Sequence, residues 1–102
     1  MTFYLLDDAE LIRSFVSDDL VPPESDVLFL LYAVLMRAKG IDVTASDVHD
    51  AWAAWAFGTG DFENASLIPY ANLAKEKQMQ DTPFVNAIRR AVGYRQLEAS
   101  GP

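Results

Sequence analysis

The chain has 102 residues, about half of them apolar, with one histidine, no cysteine and a formal net charge of −7. That length makes one domain, and two tryptophans, four tyrosines and six phenylalanines supply enough apolar bulk for a core without covalent staples. The missing cysteine excludes disulfides, thiolate metal sites and nucleophilic thiols, and the acidic balance removes the basic face that nucleic-acid binding needs.

The charge is unevenly placed. Asp7, Asp8, Glu10, Asp18, Asp19, Glu24 and Asp26 crowd the first quarter against Arg13 alone, and no Lys or Arg lies between Lys39 and Lys75. Cations gather late, as Arg89, Arg90 and Arg95. No basic-then-apolar leader opens the chain, so a soluble, cytoplasmic protein is expected. The longest apolar run, Val27 to Met36, precedes Arg37 and Lys39. It is too short to span a bilayer of about 30 Å and predicts a helix buried on most sides.

In chain order, "MTFYLL" has the pattern of a short edge strand but finds no partner strand. Asp7 or Asp8 is the expected cap of a first helix, where Leu11, Ile12, Phe15 and Val16 share one face. Pro22 and Pro23 break the chain. Ser25 is placed to cap a second helix that stops at Gly40. Thr44 and Asp47 have the spacing of a capping box, with Asp in place of Glu. The helix they open runs from about Ala45 to Phe57, with Val48, Trp52 and Trp55 on one stripe.

An irregular segment follows to about Leu73. Pro69 holds Ile68 extended, Leu67 and Ile68 or their neighbours are expected to fill the core, and Tyr70 is expected to turn back toward His49. A short helix is predicted near Ala74 to Met79. Asp81-Thr82-Pro83 then starts a last helix, whose apolar face holds Phe84, Ala87, Ile88, Ala91 and Val92. The reading is all-α: a compact bundle of four to five helices with an irregular Pro-containing connection before the C-terminal helix. Residues 1–96 form one domain and 97–102 a flexible tail.

Catalytic patterns are weak. A Ser/His/Asp site requires His49 to meet both partners in space, and no G-x-S-x-G elbow presents a serine. With one histidine and no cysteine, only an all-carboxylate metal site remains, and the acidic pairs lack EF-hand spacing. "GTGDFENA" has no lysine and no following helix of the phosphate-loop kind. The expectation is no enzyme, no metal and no cofactor. Trp52 and Trp55 read either as core residues or as an aromatic wall for a planar ligand. His49 reads either as a hydrogen-bonded structural residue or as a ligand contact.

The order "VHDAW", "SLIPYANL", "KEKQMQD" and a final helix resembles the ryanodine-receptor-repeat (RyR) domain over residues 47–92. His49 stands three residues before Trp52, Leu67-Ile68-Pro69-Tyr70 matches the next block, Leu73 the turn, and Lys77 and Asp81 the last stretch. The loop is shorter than usual, and Ala65-Ser66 and Ala71-Asn72 depart from the family pattern. The first half is similar to small uncharacterised proteins of actinobacteria and their phages. The resemblance implies a non-catalytic regulatory module that binds a nucleotide-like small molecule through His49, Trp52, Trp55, Pro69, Tyr70 and Lys77. The alternative is an acidic protein–protein interaction factor, phage or mobile-element encoded, that binds a host protein. Monomer and homodimer both remain open.

Overall fold

The computed structural model describes residues 3–101, and these form five α-helices joined by 3₁₀ turns and loops, with no strand. The helices are α1 (Tyr4–Ser14), α2 (Asp26–Lys39), α3 (Ala45–Gly58), α4 (Lys75–Met79) and α5 (Thr82–Ala99). The all-α class and the irregular connection before α5 agree with the sequence pattern. No helix among the described residues is long and apolar enough to cross a membrane.

The apolar run of α2 makes it the centre of the bundle. Its Leu28, Phe29, Tyr32, Ala33 and Met36 are buried, and it packs against α1, α3 and α5. Ile12 from α1, Val48 from α3 and Ile88 from α5, each with no exposed surface, complete the core. Each such side chain contributes about 1.5–3 kcal/mol on burial. The outer side of α2 still shows Val27 and Val34 to solvent.

Local signals set the ends of α2 and α3. Gly40 ends α2 at φ 58°, ψ −135°, a conformation open to glycine and strained for other residues. Thr44 caps α3 with both bonds of the box in place. Its hydroxyl accepts the Asp47 N–H at 3.1 Å, and the Asp47 carboxylate accepts the Thr44 N–H at 2.9 Å. Ser25 occupies the cap position of α2, though its side chain makes no capping bond.

The start of α1 differs from expectation. The "MTFYLL" segment is no strand where it is described: Phe3 is the N-cap residue and Tyr4 to Leu6 are already helical, while Met1 and Thr2 lie outside the described residues. Neither Asp7 nor Asp8 is the N-cap residue. Asp8 sits inside α1 with 1% of its surface exposed. It accepts hydrogen bonds from Arg37 Nε of α2 at 2.7 Å and Arg95 Nε of α5 at 3.2 Å. A buried carboxylate is tolerated when it is paired and hydrogen-bonded, and here the pairing ties three helices together. At the far end, α5 continues through Leu97, Glu98 and Ala99.

Replacing Arg37 and Arg95 together by alanine strands the Asp8 carboxylate and is expected to cost about 3–5 kcal/mol. Adding Asp8→Leu to that pair should recover most of the loss, since an apolar residue of similar volume has no charge to compensate. Urea denaturation of the wild type, the double variant and the triple variant checks this.

Candidate functional site

A cavity of about 390 Å³ opens between α2, α3, the segment before α4 and the start of α5. Tyr32, His49, Trp52, Lys77, Asp81 and Phe84 are among its lining residues. Each comes from a different stretch of chain or a different helical turn. Tyr32 belongs to the buried face of α2, with its ring 5.6 Å from that of Phe84 in the first turns of α5. His49 and Trp52 are one turn apart on α3, and their rings stack at 5.7 Å with 24° between the planes.

His49 is 3% exposed, and its Nε2 lies 2.7 Å from the Ile68 carbonyl oxygen. A carbonyl only accepts, so Nε2 carries the proton and donates it. The other ring nitrogen, Nδ1, faces Asp81 Oδ2 at 4.0 Å, beyond hydrogen-bond length. Asp81 is the N-cap residue of α5, yet its side chain makes no capping bond. Its Oδ2 is buried and has no hydrogen-bond partner. Burial pushes the Asp81 carboxyl up to about 6 from the ordinary 3.8, with His49 opposing the rise. The Tyr32 hydroxyl is also pushed up, first by its own burial and then by the Asp81 carboxylate.

The arrangement puts a buried, unpartnered carboxylate oxygen and the His49 ring on the cavity lining. Ser66 lines the same cavity, so serine, histidine and aspartate do share one wall. Nucleophile activation needs a free ring nitrogen beside the hydroxyl. Nε2 is committed to Ile68, and Nδ1 faces Asp81. Among the described residues, no three His, Asp or Glu side chains converge as metal ligands.

The sequence-expected site residues divide among four surroundings. His49, Trp52 and Lys77 line the main cavity. Tyr70 lies against His49, with ring centroids 6.3 Å apart, as its expected return toward that residue requires. Pro69 lines a second depression, of about 390 Å³, with Phe57 and the opposite side of His49. Trp55 packs against the hydrophobic core. Leu67 and Ile68 do not fill the core: Ile68 is 42% exposed and Leu67 lines the second depression. The reason is that Pro69, at φ −55° and ψ 144°, holds an extended turn whose contribution to His49 is a backbone carbonyl rather than a side chain. Tyr32, Phe84 and Asp81 were missed as site residues, since the first two read as core and the third as a helix start.

Asp81 gives the site a measurable pH signature. Its folded-state pKa of about 6 lies above the ordinary 3.8, so the folded protein keeps this proton to a higher pH than the unfolded chain. Between about pH 4 and pH 6 the contribution of Asp81 to stability therefore falls as pH rises. Above pH 6 the full cost is present, at most about 3 kcal/mol and less where solvent screens the carboxylate. Asp81→Asn should stabilise the protein by about 1–3 kcal/mol at pH 7.5 and by little near pH 4. Chemical denaturation at the two pH values checks this, and an equal difference at both would contradict it.

A family model described as Domain of unknown function (DUF7701) matches residues 3–93. No curated protein and no solved structure matches the chain. The family match runs from the first residue of the described fold to Gly93 in α5, and it overturns the resemblance to the ryanodine-receptor repeat. That resemblance rested on short blocks in the second half, whereas α1 and α2 contribute to the same core as α3 and α5. The chain belongs to the DUF7701 family, whose described unit is nearly the whole helical domain.

Proposed function

We propose that the protein is a non-catalytic binding module that holds a small organic molecule in the cavity lined by Tyr32, Trp52 and Phe84. The observation that carries this reading is Asp81 Oδ2, a buried oxygen with no partner. A buried acceptor left unsatisfied costs about 1–3 kcal/mol, and such departures from local optimality concentrate at functional sites. The cavity volume falls within the range of small-molecule pockets, with apolar walls and a few convergent polar groups. Charge favours a ligand without phosphates. Lys77 is exposed and is the one Lys or Arg among the described lining residues, and it stands against the buried carboxylate.

A second reading, a protein-interaction surface, is favoured by a separate patch. Phe57 and Phe62 are 57% and 63% exposed, with their rings in edge contact at 4.8 Å, and exposed Ile68 lies on the nearby depression. Apolar groups gathered at a surface in this way mark contact sites.

Amide NMR with a library of small organic fragments separates the two readings. The cavity reading expects hits that shift the signals of His49, Trp52, Asp81 and Phe84, and weaken about tenfold or more in Phe84→Ala. Hits confined to Phe57, Phe62 and Ile68, or no hits at all, would contradict it and favour a protein partner.

A further inference from the structure

We infer that the cavity takes an organic cation, an ammonium or amidinium group on a small apolar body, and that this cation replaces the proton Asp81 holds at low pH. The inference rests on the cavity being a ligand site. Three observations converge on it.

The first is the unmet need of Asp81. Its Oδ2 is buried without a hydrogen-bond donor, and the ring nitrogen facing it, His49 Nδ1, stands 4.0 Å away, beyond hydrogen-bond length. An incoming phosphate or carboxylate would add a second negative charge beside a carboxylate already short of compensation. An ammonium or amidinium brings both the donor and the opposite charge. The second observation is the wall. Tyr32, Trp52 and Phe84 line the same cavity as Asp81, and aromatic rings attract desolvated organic cations through their quadrupoles. The third is the net charge of −7, which raises the local concentration of cations near the surface.

The groups facing Asp81 across the cavity set the pH behaviour. Tyr32 comes from α2, His49 from α3 and Lys77 from α4. Tyr32 is neutral throughout the working range, because burial and the carboxylate both raise its hydroxyl pKa. Lys77 opposes a cation by like charge, but it is solvent-exposed and its long flexible stem lets the ammonium move away into water. What remains at the enclosed end is a competition between a proton and a cation for one carboxylate. Cation affinity should therefore rise with pH, by up to tenfold per unit, until Asp81 has lost its proton, and then level off.

Calorimetric titration with tetramethylammonium, choline, benzyltrimethylammonium and benzamidinium tests this, each measured at pH 5 and pH 8. The neutral choline isostere 3,3-dimethylbutan-1-ol and adenosine monophosphate serve as comparison ligands. The expected result is at least one cation binding tenfold or more tighter than the neutral isostere at pH 8. That advantage should shrink toward pH 5 and disappear in Asp81→Asn. Equal binding of the isostere, tighter binding of the nucleotide, or cation affinity unchanged in Asp81→Asn would overturn the inference while leaving a ligand site in place. No binding by any probe at either pH would overturn both.

Discussion

The hydrogen bond from His49 Nε2 to the Ile68 carbonyl, 2.7 Å long, is the interaction on which the cavity depends. Residues 59–74 contain no α-helix, and turns within the segment satisfy the carbonyls of Asp61, Asn64 and Pro69. Side chains from the flanking helices hydrogen-bond two more carbonyls of the segment. His49 of α3 satisfies Ile68, and Gln78 of α4 satisfies the Tyr70 carbonyl at 2.9 Å. Together they clamp the proline turn from both sides and hold it beside α3. The same bond determines which ring nitrogen carries the proton. It leaves Nδ1 facing Asp81 Oδ2 at 4.0 Å, beyond hydrogen-bond length, so the ring makes no hydrogen bond to the buried carboxylate oxygen.

Two buried aspartates in one small domain show how differently the fold treats the same side chain. Asp8 is enclosed among α1, α2 and α5 and receives two guanidinium groups. Asp81 is nearly enclosed too, with 13% of its side chain exposed, yet its Oδ2 receives no hydrogen bond. The first arrangement stabilises the frame. The second weakens it at neutral pH, because burial of the charged form outweighs the opposing pull of His49. A helix cap could have used the Asp81 carboxylate, since the N-cap position offers backbone N–H groups close by, but the side chain makes no such bond. A buried carboxylate oxygen without a hydrogen-bond partner beside an aromatic-lined cavity is the reason for proposing a ligand site there.

Much of the frame was legible in the sequence where the signal is local. Gly40, the Thr44–Asp47 box and Pro83 each act within a few residues, and the helix ends fall where they indicate. The core of α2 follows from an apolar run too short for a membrane. The site was less legible because its parts depend on tertiary partners. Trp52 and Trp55 lie three residues apart on one stripe and both pack on the core, and nothing local says that the first also lines the cavity. Asp8 looked like a cap because acidic residues favour helix starts, whereas arginines at positions 37 and 95 determine its place. The His49–Tyr70 neighbourhood was anticipated, but from blocks that suggested a different family. Ile68 shows the limit most clearly: a residue-based reading weighs its apolar side chain, and the structure uses its carbonyl.

The most direct test of this account is the carboxyl carbon of Asp81 followed by NMR as pH is varied, together with the ring nitrogens of His49. The account predicts that the Asp81 carboxyl titrates with a midpoint of about 6, and that His49 Nε2 bears the proton it donates to the Ile68 carbonyl. An Asp81 midpoint near its ordinary 3.8 would show that the carboxylate is solvated or paired, and would contradict the central claim.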